Sequence, residues 1–174
     1  MSGATGAFSL PPWASDEVRD ALEPTYRRSY LRLVQDGLGD QPGGDPVTVL
    51  RDALRGEAQE VVMVAAVDGL GNVAELVEVA RGGYHSVVVP LPPTLAVPLL
   101  AGCDRAVIAH THPSGRLVPS QHDFAMTQAV ADGLNACGMI LLDHLIFGPK
   151  GNHFSLRDAG MLEVPEPATI EVQM

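Results

Sequence analysis

Lysine is almost missing from this chain of 174 residues. Lys150 is the only one, and with the arginines the basic total reaches 11 against 21 acidic residues. The formal net charge is −10. Proteins bind nucleic acid largely by neutralising phosphates with Lys and Arg, so this balance argues against nucleic acid as a direct partner. One basic cluster exists, Arg27, Arg28 and Arg32, and its spacing suits the solvated surface of a helix. Cysteine is also scarce. Cys103 and Cys137 are 34 residues apart with no Cys-x-x-Cys, which fits two reduced thiols and excludes a disulfide framework. No apolar run reaches the roughly 18 residues a membrane helix needs. Met1 to Leu10 lacks the basic start and apolar core of a signal peptide, so the expected location is cytoplasmic. What remains is 46% hydrophobic, enough for one domain with a real core.

Local patterns divide the chain into an N-terminal arm and helical extension (1–44), a main domain (45–163) and a proline-rich acidic tail (164–174). In the extension, Ser15 or Asp16 can cap a short helix to Glu23, and Thr25 to Gln35 carries apolar residues at helical spacing. Pro46 to Leu54 predicts a helix entered from Asp45. Val61 to Val67 predicts a strand, Asp68 to Asn72 a turn, and Val73 to Ala80 a half-exposed strand. Val87 to Val89 is a further strand candidate. Pro92 to Leu100 predicts a short helix interrupted by Pro98. Arg105 to His110 reads as a buried strand, Ser120 to Cys137 as a helix stopped by Gly138, and Met139 to Phe147 as another buried strand. Gly148 to Asn152 is a turn, after which Ser155 can cap a final short helix. Helices and strands mix without regular βαβ alternation, so the expected class is α+β, a mixed sheet flanked by helices.

The chemistry concentrates in His110-Thr-His-Pro-Ser-Gly115, followed by Ser120 and Asp123. In a strand, residues i and i+2 point to one face, so His110 and His112 can reach a common point at the strand's end. A His-x-His pair plus the carboxylate of Asp123 makes a three-ligand set for Zn²⁺ and leaves the fourth position for water, the arrangement of a catalytic rather than a structural site. Asp123 also has a structural reading. Ser120-x-x-Asp123 fits a capping box, in which serine and acid satisfy free N–H groups at a helix start. His85, His122 and His153 carry no supporting pattern, and Gly69 to Gly71 lacks the strand–glycine–helix context of a phosphate loop.

The same residues carry a resemblance. His-x-His, ten intervening residues and Asp123, with Ser120 three before it, resemble the JAB/MPN (JAMM) metallopeptidase motif. His-Thr-His-Pro-Ser-Gly, then Pro-Ser-x-x-Asp, then Leu142-Asp-His-Leu-Ile-Phe-Gly148 are similar to the RadC-like branch of that family. Phe154-Ser155 and Gly160-Met-Leu162 match its C-terminal end. The likeness spans roughly residues 45 to 163 and implies a single JAB/MPN domain of cytidine-deaminase-like fold. Three departures stand out. Thr111 replaces the family's usual Asn, Pro90 to Pro98 lacks its arginine-bearing segment, and the N-terminal region is too short for the helical domain common in full-length relatives.

The resemblance implies that His110, His112 and Asp123 hold Zn²⁺. It implies a glutamate ahead of the first strand as general base, a place that Glu60 takes directly before Val61; Glu57 is the competitor, in a polar linker with no strand behind it. Ser120 would stabilise an oxyanion, with Ser114 a second candidate whose Pro-Ser-Gly setting favours a turn. Asp143 and His144 match a family motif. As neighbours on a strand they face opposite ways, so at most one faces the site, in a supporting role. The implied activity is hydrolysis of a peptide or isopeptide bond after a ubiquitin-like protein tail, in deconjugation or processing within a bacterial defence system. The alternatives are a DNA-repair-associated accessory protein and a non-catalytic MPN interaction module. A zinc nucleobase deaminase fits poorly, since His-x-Glu and Pro-Cys-x-x-Cys are missing.

Overall fold

The computed structural model describes residues 43–82 and 89–165. The expected N-terminal helices, most of the Val87 to Val89 strand candidate, His85 and most of the C-terminal tail lie outside the described residues. Among the described residues eight elements follow one another: α1 (Pro46–Leu54), β1 (Val61–Val67), β2 (Val73–Arg81), α2 (Leu91–Leu100), β3 (Arg105–Thr111), α3 (Gln121–Ala136), β4 (Ile140–Phe147) and β5 (His153–Ser155). The strands form one sheet in the order β2-β1-β3-β4-β5. The β3–β4 pair is parallel and the other three pairs are antiparallel, so the sheet is mixed and the class is α+β. α3 makes the crossover that a parallel pair requires.

Alternation along the strands builds two cores. Val62, Val64 and Ala66 of β1 join Ala106 and Ile108 of β3 against Val97 of α2 and Val130 and Leu134 of α3. The intervening residues, Val61, Ala65 and Val67 with Val107 and Ala109, pack on Leu50 and Leu54 of α1. The sheet is thus covered on both faces, and this is why β1, β3 and β4 are nearly continuous apolar runs. The same parity places His110 on the α2/α3 face and Thr111 on the α1 face.

Helix starts follow their sequence signals. The Asp45 carboxylate accepts from the Val47 and Thr48 N–H groups, and Pro46 sits in the first turn where its missing N–H costs nothing. Ser120 caps α3, and Gly138 turns the chain at its end with φ of 73°. Two expectations are corrected. Pro98 does not interrupt α2, which runs through it to Leu100; it forgoes the bond an N–H at that position would have made to the Thr94 carbonyl. Ser155 does not start a helix. His153, Phe154 and Ser155 pair with Phe147, Ile146 and Leu145 as the short edge strand β5. The Ser155 hydroxyl does accept from the Asp158 N–H at 2.9 Å, but the chain makes a single turn that closes at Gly160, whose φ is 69°.

Candidate metal centre

Three elements converge at the C-terminal end of β3. β3 delivers His110, the residue after its end delivers His112, and the first turn of α3 delivers Asp123. The His112 N–H donates to the Phe147 carbonyl at 2.8 Å, so the chain stays registered on β4 for one residue past the strand. Asp123 is held by the capping box. The Ser120 N–H donates to Asp123 Oδ2 at 2.6 Å, and the Asp123 N–H donates to Ser120 Oγ at 3.2 Å. The two readings of Asp123 are therefore compatible, because the bonds that start the helix also aim the carboxylate at the histidines. Its Oδ1 lies 3.1 Å from His110 Nε2 and its Oδ2 3.6 Å from His112 Nε2. The three donor atoms lie within 4.8 Å of one another and could hold a metal ion.

The tautomers follow from carbonyl groups, which only accept. Thr127 Oγ1 lies 2.6 Å from the Asp123 carbonyl and must donate to it. It is then left to accept from His144 Nδ1, also at 2.6 Å. His144 Nε2 accordingly carries a lone pair and accepts from His110 Nδ1 at 2.8 Å. His110 Nε2 is thereby bare. On the other ring, His112 Nδ1 donates to the Arg116 carbonyl, so in the neutral ring His112 Nε2 is bare as well. These two lone pairs face each other at 2.9 Å beside a carboxylate. Only a proton or a cation between them relieves the repulsion, and a donor set of two imidazoles and one carboxylate suits a divalent transition metal.

The titration directions agree. Hydrogen bonding to Asp123 raises the His112 pKa above its usual value, against desolvation. Burial would push the Asp123 carboxyl up, but the His110 and His112 imidazoles beside it outweigh that and hold the group well below the carboxylate range. His144 is wholly buried. Desolvation, reinforced by the neighbouring His110, pushes its pKa far down and keeps it neutral, as the relay requires.

Glu60, Ser120 and the three histidine and aspartate side chains all line one cavity of about 760 Å³. Glu60 reaches it by parity, sharing the face of Val62. Among the described residues no hydrogen bond or ion pair engages the Glu60 carboxylate. Glu57 is differently placed: Arg81 hydrogen-bonds it at 2.8 Å and holds its carboxyl below the usual range. Ser114 also lines the cavity, while its Oγ accepts from the Arg116 N–H within the turn at 3.4 Å. Asp143 and His144 face opposite ways. His144 backs His110, whereas Asp143 accepts from Ser155 Oγ and the Arg157 N–H and ties the C-terminal segment to β4. Reading the sequence missed Thr127, whose only signal is its place one helical turn after Asp123, and missed the bonds made by Thr111. His153 packs on Phe147, away from the histidine pair.

Comparison with known proteins bears on this geometry. The UPF0758 protein of Porphyromonas gingivalis (strain ATCC BAA-308 / W83) is 37% identical over 106 residues, 60% of this chain and 46% of that protein. A UPF0758 protein of Stenotrophomonas maltophilia (strain K279a) is 30% identical over 161 residues, 91% of this chain and 67% of that protein. That of Nostoc sp. (strain PCC 7120 / SAG 25.82 / UTEX 2576) is 47% identical over 57 residues, 33% of this chain and 23% of that protein. The chain thus spans about half of the first of these relatives and two thirds of the second. The RadC-like JAB domain matches residues 44–161, a span that contains the converging histidines, Asp123 and every strand of the sheet. With that match covering more than half its length and its metal-competent group inside it, the chain belongs to the RadC-like JAB domain family.

Proposed function

We propose that the protein is a zinc-dependent metallopeptidase that cleaves a peptide or isopeptide bond after the tail of a ubiquitin-like protein. The observation that carries this reading is the convergence of His110 Nε2, His112 Nε2 and the Asp123 carboxylate in one cavity with the Glu60 carboxylate. His110, His112 and Asp123 would hold the ion. Zinc bound by three protein ligands supplies Lewis acidity and brings the pKa of water towards neutrality. The rest falls to the chain's own groups. Glu60 Oε accepts the proton of the attacking water and later returns it to the leaving nitrogen. The Ser120 hydroxyl, whose oxygen already accepts from the Asp123 N–H, has its proton left to donate to the developing oxyanion. His144 and Thr127 keep His110 in the ligating tautomer. The complete donor set favours this reading over a non-catalytic interaction module.

The test is metal content followed by turnover. Purified protein should carry about one zinc per chain and cleave a linear fusion to a ubiquitin-like protein. Glu60→Gln should keep its zinc and cleave at least about a hundredfold more slowly, while Glu57→Gln stays near wild type. A Glu60→Gln variant that cleaves at the wild-type rate would sink the general-base assignment. Full zinc retention in both His112→Ala and Asp123→Ala would remove the site.

A further inference from the structure

We propose that Thr111, the residue between the two histidines, is a positioning residue that braces Glu60 for proton transfer. The proposal rests on the general-base reading of Glu60 above. Backbone pairing between β1 and β3 ends at Val62 and His110. Beyond that point a side chain takes over the ladder. Thr111 Oγ1 donates to the Gln59 carbonyl at 2.7 Å and accepts from the Val61 N–H at 2.9 Å. One hydroxyl therefore grips the residues on both sides of Glu60, and Thr111 is not part of the cavity lining. A third bond closes the cradle, because the Gly82 N–H donates to the Glu60 carbonyl at 2.8 Å.

The parity of β3 explains why the brace sits there. His110 and His112 point to the α3 face, so the residue between them points to the other face, where the chain entering β1 passes. The backbone that aims the two imidazoles thus also fixes the place of Glu60 relative to them. Thr111 is 3% exposed, so water cannot replace these bonds cheaply. Valine has the shape of threonine and lacks the hydroxyl, so Thr111→Val removes both bonds at once. Serine keeps the hydroxyl and loses only the methyl group.

The experiment uses the full chain loaded with zinc, and separately with Co²⁺, whose visible spectrum reads the ligand set. Thr111→Val should keep its metal and the wild-type Co²⁺ spectrum. Its kcat on the linear fusion should fall by about ten- to a hundredfold, with KM moved less than about threefold. Thr111→Ser should restore the rate. The decisive comparison is the double variant: on a Glu60→Gln background, Thr111→Val should cost nothing further, since the brace acts only through Glu60. Additive losses would overturn the proposal and leave the general base intact. A Glu60→Gln variant at the wild-type rate would overturn the general-base reading and the brace with it. Amide hydrogen exchange decides the matter without turnover: at Val61 it should quicken by at least about tenfold in Thr111→Val and stay near wild type in Thr111→Ser. Unchanged exchange at Val61 would overturn the proposal, as would Thr111→Ala retaining wild-type exchange if the valine variant does not fold.

Discussion

At the scale of single residues, the centre is ordered by acceptors that leave no choice of tautomer. The Asp123 and Arg116 carbonyls determine where the imidazole protons sit, and so which nitrogens are bare. Removing the middle of the relay should therefore weaken metal binding without touching a ligand. Thr127→Val leaves His144 Nδ1 without its acceptor, and zinc affinity should fall by about ten- to a hundredfold, measured by competition with a chelator. An unchanged affinity would show that the relay does not tune the ligands. The pH dependence follows from the raised His112 and lowered Asp123 values. In the metal-free protein the His112 contribution is fully present below its unfolded value of 6.5 and fades as pH rises through its raised folded value. The Asp123 contribution is present above its unfolded value of 3.8 and fades only as pH falls through its lowered folded value. The pair therefore stabilises the metal-free protein most between those unfolded values. Zinc must displace the His112 proton, so added zinc should raise the melting temperature more at pH 8 than at pH 6. Scanning calorimetry with and without zinc checks it, and a larger rise at the lower pH would contradict it.

At the scale of elements, α3 does three jobs: it crosses over between the parallel strands, carries Asp123, and packs on α2. The packing is close. A Cβ on Gly133 would stand 2.8 Å from Cδ1 of Leu95, so this position has almost no spare room. Gly133→Ala gains roughly 1 kcal/mol of helix propensity. The Leu95 methyl can swing away, so that variant should be close to neutral. Gly133→Leu cannot be accommodated by a rotamer change, and overpacking should cost about 1–3 kcal/mol in urea titration. Loss of stability in the alanine variant as large as in the leucine variant would mean that Leu95 is locked. The start of α1 gives a second measure: Asp45→Ala removes the cap and should cost about 1 kcal/mol without changing zinc content.

Across the whole molecule, charge and topology act separately. A chain with net charge −10 and one lysine should not bind duplex DNA with sub-micromolar affinity at physiological salt, as fluorescence anisotropy would show. Tight binding that weakens steeply with salt would revive the repair-associated reading. Among the described residues no helix is long and apolar enough to cross a membrane. Much of the fold was legible because its signals are local. Asp45-Pro46 marks a helix start, Ser120-x-x-Asp123 a capping box, and Gly138 a helix end, each through bonds within a few residues. His-x-His could be placed on one face because strand parity is itself local. The short strand β5 was not legible, since three residues pair as an edge only because β4 lies beside them, and the cap signal at Ser155 pointed elsewhere. The sequence by itself determined the residue types of the metal-competent group, the common face of the two histidines and the helix that carries Asp123. Only the tertiary structure decided the strand order β2-β1-β3-β4-β5. That order sets Glu60 beside the histidines, turns Glu57 away to Arg81, and closes the Thr127–His144–His110 relay. The physical reason is that those contacts join residues from separate elements, and hydrogen bonds between them exist only once two hydrophobic cores have brought the elements together.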